Sequence, residues 1–215
     1  MKNYQKNLKI LKKNHVYSED MEHDACGVGL IASTEGKKSR KVVEYGIEAL
    51  KAVWHRGAVD ADGKTGDGAG IHVEIPKDFF IEKIEVTGHT HDNSEICVGM
   101  IFLPRNDYAA QESCKTIIES ELTKNDFSIY GWRQVPVNPK VLGEKAFQTM
   151  PEIIQVLFKS NNPELLNKDL ERKIYETRRI IENKAFKISL NNFYICSLSS
   201  KSIIYKGMFL AEAIS

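Results

Sequence analysis

Cys26 stands at a junction where a thiol could do chemistry: the polar run MEHDA ends against it and the apolar run CGVGLIAS begins with it. The thiolate is the nucleophilic form of cysteine, and reaching it needs a base close enough to take the proton. Were the chain cut between Ala25 and Cys26, the residue would gain an α-amine of its own. An amide nitrogen cannot accept a proton, whereas an α-amine with a pKa of roughly 7.7 to 8.0 suits a general base near neutrality. Nucleophile and base would then share one residue, the cysteine counterpart of a threonine activated by its own N-terminal amine. By residue type alone a cysteine in an apolar strand is more often structural, so it is the junction in front of it that singles Cys26 out.

The remaining cysteines, Cys97, Cys114 and Cys196, fall in apolar strand or helix patterns and are expected to be inert core thiols. No two cysteines are spaced as Cys-x-x-Cys and no secretory segment precedes them, which points to reduced thiols in a cytoplasmic protein and to neither a zinc knuckle nor a disulfide framework.

Three other signals compete. In HRGAVDADGKTGDGAG, five residues separate Gly57 from Gly63-Lys64-Thr65, where a phosphate-cradling loop has four. Asp60 and Asp62 would also repel a phosphate there. As a calcium loop the same stretch puts Lys64 at a ligand position, Thr65 where a turn glycine belongs and Ile71 where the bidentate Glu should stand. His89, His91 and Asp92 could be offered to zinc, but they lie in a loop between Gly88 and Asn93 with no companion pair nearby, so a solvated turn is expected and no metal is assigned.

These residues need elements to hold them. Alternation in CGVGLIAS predicts a buried strand with Cys26, Val28, Leu30 and Ala32 on one face. Ser39 then reads as the N-cap of a helix with an apolar stripe at Val43, Ile47, Leu50 and Trp54, closed by Gly57. Strands are predicted at 70–75, 96–103, 127–137 and 152–158, where β-branched and aromatic residues concentrate. One helix follows Asp107 with Ala110, Cys114, Ile117 and Leu122 inward; another starts at Asn162-Pro163 and buries Leu166, Leu170, Ile174 and Ile181. FYICSLSS and IIYKGM read as a hairpin about Lys201-Ser202. Strands and helices do not alternate strictly, which favours a layered α+β fold. The first 13 residues carry five lysines and no acid and are expected to be a solvated, poorly ordered leader. FLAEAIS at the end shows neither cap nor breaker, so the chain is expected to stop inside a larger unit.

Composition narrows the function classes. Lys plus Arg number 30 against 29 Asp plus Glu, too balanced for a nucleic-acid surface. With 42% hydrophobic residues and no apolar run near the roughly 20 that span a bilayer, a globular protein outside the membrane is expected.

CGVGLIAS, KVVEYGIEALKAVWHRGAVDADGKTGDGAGIHVEIP, YGWRQVPV, the stretch with TRRIIE, and FYICSLSSKSIIYKGMFLAE together resemble the amidotransferase domain of glutamate synthase large subunits, class II members of the N-terminal-nucleophile hydrolases. The long spacer between Arg56-Gly57 and Asp67-Gly68-Ala69-Gly70 is similar to glutamate synthases in particular. The resemblance implies an αββα four-layer sandwich, incomplete at its C-terminal end, with residues 1–25 a removable leader and 26–215 the N-terminal part of the domain. It implies that Cys26 attacks the side-chain amide of glutamine to release ammonia, which the complete protein adds to 2-oxoglutarate. It also implies site-organising roles for Arg56, Gly57, Asp67 and Gly68; for Arg56, at a helix end, bonding the last helical carbonyls stands as an equal reading.

The family's oxyanion Asn-Gly pair and its glutamine-gripping Arg segment are absent from this sequence, so the chain alone is expected to be inactive. FMN and an iron-sulfur cluster are implied for the full-length protein, none of them in this segment. Implied partners are glutamine, the remainder of the synthase chain and a small reductase subunit. The alternative is a non-catalytic binding or scaffold module of the same fold.

Overall fold

The computed structural model describes residues 2–14, 27–53 and 57–214. In chain order the elements are helix α1 (Lys2–Asn14), α2 (Arg40–Ala52), strand β1 (Ala69–Glu74), α3 (Lys77–Val86), β2 (Cys97–Leu103), α4 (Tyr108–Lys124), β3 (Phe127–Gln134), α5 (Glu144–Gln148), β4 (Glu152–Ser160), α6 (Asn167–Lys187), β5 (Tyr194–Ser199) and β6 (Ser202–Gly207), with short 3-10 turns at Pro139–Val141 and Ala211–Ala213.

Two antiparallel sheets result, one in the order β3-β4-β2-β5 and one of β1 with β6. Side chains on a strand alternate between faces, so the larger sheet serves two cores. Ile101, Leu103, Ile154, Val156 and Phe158 face α4 and α6, which answer with Cys114, Ile118, Leu122, Leu170, Ile174 and Ile181. Val98, Met100 and Leu157 face the other way and pack with Ile203 and Val73 of the smaller sheet and with Phe80 and Ile84 of α3. The fourth layer is α2, whose Gly46 lies against Ile71 of β1. The order is helices, sheet, sheet, helix: the αββα sandwich. Each fully buried Phe, Ile or Leu in these cores stabilises the fold by about 1.5–3 kcal/mol relative to exposure.

The strands expected at 70–75, 96–103 and 152–158 form, and the one at 127–137 stops at Gln134, shortly before Pro136 removes a ladder donor. Other expectations need correction. Residues 27–33 are not a strand, and Val28 and Leu30 are 94% and 89% exposed. Alternation makes a strand only where a neighbour pairs with it, and among the described residues none runs beside this segment. α2 ends at Ala52 with Val53 as its C-cap, short of Gly57, and Ser39 caps it by position without a side-chain bond. α6 starts at Asn167 because the Asn162 carboxamide accepts from the Glu164 amide and makes a turn instead; Leu166 is left exposed. Lys2–Asn14 is helical where an irregular leader was expected; its Lys12 and Lys13 fall in the last turn, where cations suit the helix dipole.

β5 and β6 are not a hairpin, since each belongs to a different sheet. The chain crosses between layers at Ser200-Lys201. Glu171 of α6 fixes the crossing by accepting from the Ser199 hydroxyl (2.9 Å), the Ser200 amide (2.7 Å) and the Ser200 hydroxyl (2.7 Å).

Candidate active site

Between α2 and β1 the chain makes a folded loop over 57–68, and its shape begins with Asp62. An Asp in a turn can bond its own backbone two and three residues on. Here Oδ1 of Asp62 accepts from the amides of Lys64 (2.9 Å) and Thr65 (2.7 Å), while Oδ2 accepts from the Thr65 hydroxyl (2.5 Å). Those three donors, the Thr65 hydroxyl foremost, hold the Asp62 carboxyl well below the usual carboxylate range. The two arms of the loop close on each other: Asp60 N donates to Thr65 O (2.9 Å), Asp67 N to Ala58 O (3.2 Å), and Val59 bridges Gly66.

The loop is docked at two places far away in sequence. Lys145 of α5 pairs with Asp60 at 2.8 Å and, by that hydrogen bond, keeps the Asp60 carboxyl below its ordinary value. The Ala146 amide donates to the Thr65 hydroxyl at 3.4 Å. Gly143 is buried beneath this contact, and a Cβ there would overlap both the Asp62 carboxylate and the Thr65 hydroxyl. On the other side Gly66 is pressed against the chain after β6, where a Cβ would come within 2.8 Å of the Phe209 carbonyl.

Asp67 and Gly68, two of the residues singled out from sequence, form the outgoing arm of this loop. Both are exposed, and both line a cleft of roughly 3010 Å³ together with Gly27, the neighbour of Cys26. α2, β1 and β6 make its other walls through Leu50, Ile71 and Tyr205. Gly68 has φ +129°, a conformation L side chains rarely adopt, and leads directly into β1. Gly57 is exposed on the incoming arm and does not line the cleft. Cys26 and Arg56 lie outside the described residues.

Asp62, Thr65, Gly143 and Lys145 were not recognised from sequence as parts of one arrangement. The run Asp-Gly-Lys-Thr at 62–65 carries a turn signal, but nothing local announces that it meets residues 143–146. The sites set aside from sequence have other partners. His89 Nδ1 bonds the Thr87 hydroxyl, His91 Nε2 bonds the Ser94 carbonyl, and Asp92 pairs with Lys159. Cys97, Cys114 and Cys196 are buried on β2, α4 and β5. Among the described residues no three His, Cys, Asp or Glu side chains converge as a metal site would require, so these residues do not fit an iron-sulfur cluster.

The sequence model for class-II glutamine amidotransferases matches residues 26–215, so its first matched residue is Cys26. The chain belongs to the class-II glutamine amidotransferases. It is 52% identical over 212 residues to the glutamate synthase [NADPH] large chain of Azospirillum brasilense, a match that covers 99% of this chain and 14% of that protein. Two ferredoxin-dependent glutamate synthases of Arabidopsis thaliana are 38% and 40% identical over 208 and 195 residues, covering 95% and 90% of this chain and 13% and 12% of theirs. This amidotransferase chain therefore spans about one seventh of the length of the curated relatives it matches. Its two antiparallel sheets between helical layers agree with the sandwich expected of the class.

Proposed function

We propose that this chain is the amidotransferase portion of a glutamate synthase and that Cys26 is its nucleophile. The observation that carries the reading is that the family match begins at Cys26, the one residue whose α-amine becomes available if the preceding peptide is removed. The amine accepts the thiol proton, and the sulfur attacks the side-chain amide carbon of glutamine. Collapse of the tetrahedral adduct breaks the C–N bond, with the proton returned to the departing nitrogen, and leaves a thioester and ammonia. Water, deprotonated by the same amine, then hydrolyses the thioester to glutamate and restores the thiol.

The cleft flanked by Gly27, Asp67 and Gly68 is where glutamine would enter, with Arg56 and Gly57 in supporting roles. In the complete protein the ammonia is added to 2-oxoglutarate. That reduction belongs to the remainder of the synthase chain, with FMN, an iron-sulfur cluster and, in some members, a small reductase subunit. The setting is cytoplasmic. No helix among the described residues is long and apolar enough to cross a membrane.

The test uses the full-length protein. Intact-mass measurement should find a mature chain beginning at Cys26, and Cys26→Ser should abolish glutamine hydrolysis while leaving the circular dichroism spectrum unchanged. A fully active protein that retains Met1, or a serine variant with wild-type turnover, would refute the proposal.

A further inference from the structure

We infer that Asp62, Thr65 and Lys145 are positioning residues for glutamine: together with the gap at Gly143 they clamp the 57–68 loop onto α5 and so set where Asp67-Gly68 stands at the cleft wall. The inference rests on the glutaminase reading above. It goes further by assigning a role to residues that do not line the cleft.

The chain of contact is short and continuous. Thr65 is 3% exposed and its hydroxyl is used in both directions, donating to Asp62 and accepting from Ala146. Asp62 uses both carboxylate oxygens within the loop, which gives the turn its shape where it meets α5. Lys145 then ties the unit to the helix through Asp60. The next residue after Thr65 is Gly66, wedged against Phe209, and the two after that are Asp67 and Gly68. Gly68 is followed by Ala69, already in ladder register opposite Gly207. Asp67-Gly68 is therefore strung between an anchor at Thr65 and an anchor in β1, with no slack residue between them.

Gly143 is the complementary half. The carboxylate and hydroxyl occupy the space its side chain would take, so loop and helix fit only while this position is bare. Binding geometry is sensitive to such supports: a displacement of about 1 Å transmitted from outside a site can cost on the order of a hundredfold in turnover efficiency.

The test is made in the full-length synthase with Thr65→Val, which keeps the shape and removes the hydroxyl, Thr65→Ser, which keeps the hydroxyl, and Lys145→Met, an exposed change that spares the fold. Hydrogen exchange at the Lys64 and Thr65 amides reads the clamp, and KM for glutamine reads its consequence. Glutamate formation from added ammonia checks that the rest of the protein is intact. Thr65→Val should speed exchange of those amides and raise KM for glutamine about tenfold, with kcat changed less than about threefold. Thr65→Ser should restore both, and Lys145→Met should move both in the same direction by less.

Faster exchange with an unchanged KM would overturn the inference, as would unchanged exchange in both Thr65→Val and Lys145→Met. If Thr65→Val does not fold, Lys145→Met alone decides by the same two readings. Failure of the underlying reading has a different signature: Cys26→Ser would still hydrolyse glutamine, whatever the clamp variants did.

Discussion

At the scale of single residues, burial marks Cys97, Cys114 and Cys196 as core thiols. Desolvation raises the pKa of Cys97 and Cys196 and pushes that of Cys114 up to about 11, so at neutral pH these groups stay protonated and weakly nucleophilic. The Cys97 and Cys196 thiols donate to backbone carbonyls, those of Glu95 and Ile204. A glutamine-like chloroketone added to the native full-length protein at pH 7 should therefore, by peptide mass mapping, modify Cys26 and leave these three untouched. In urea all four should react. Comparable rates at the core cysteines in the native protein would contradict the burial. The core role of these thiols was legible from the apolar runs around them, and Cys26 stood out through its junction. Asp62 was not legible in the same way. Its pattern was weighed against phosphate and calcium loops, both of which look outward for a ligand, whereas its oxygens turn to Thr65 and the loop's own amides.

At the scale of elements, α4 and α6 lie side by side on the outer face of the larger sheet and are pinned by one buried carboxylate. Glu121 of α4 is 4% exposed and accepts from Lys184 of α6 (2.6 Å) and from Lys124 (3.2 Å). The Lys184 bond is the chief reason its pKa is lowered, with Lys124 assisting. A carboxyl whose folded value is depressed contributes stability above its unfolded pKa, about 4.3 for Glu, and loses it as the pH falls toward the folded value. Lys184→Met should cost about 1–3 kcal/mol at neutral pH, because the buried oxygen loses its nearest cation, and markedly less near pH 3. Exchange protection of the α6 amides in the full-length protein measures it; an equal loss at both pH values would show that the methionine disturbs packing instead.

Strand positions were readable because β-branched runs such as ICVGMIFL specify their state locally. Partnership was not readable. FYICSLSS and IIYKGM look like two arms of one hairpin, and the Glu171 contacts that turn them into strands of separate sheets come from a helix earlier in the chain. The same holds for CGVGLIAS, where the alternation is present and the neighbouring strand is not found among the described residues. α3 was missed because KDFFIEKIEV has only one pair of buried positions, Phe80 and Ile84, too few to announce a periodicity.

At the scale of the whole molecule, the cleft is large for one amino acid, and its walls include exposed apolar residues such as Val28, Leu30 and Met208. A cleft that wide does not by itself exclude water, the Asn-Gly pair expected to supply oxyanion donors is absent from this sequence, and loss of one such donor typically lowers turnover by about two to three orders of magnitude. The 215-residue chain on its own should accordingly hydrolyse glutamine at least about a hundredfold more slowly than the full-length synthase, measured as ammonia release per mole of protein. Parity between the two would mean that the residues here suffice.

The crossing at Ser200-Lys201 has a mechanical corollary. One unbroken length of backbone, residues 194–207, supplies a rung to each sheet, so neither layer can slide over the other without stretching covalent chain. Under tension the pair should yield together, in a single rupture, and not shed one layer at a time.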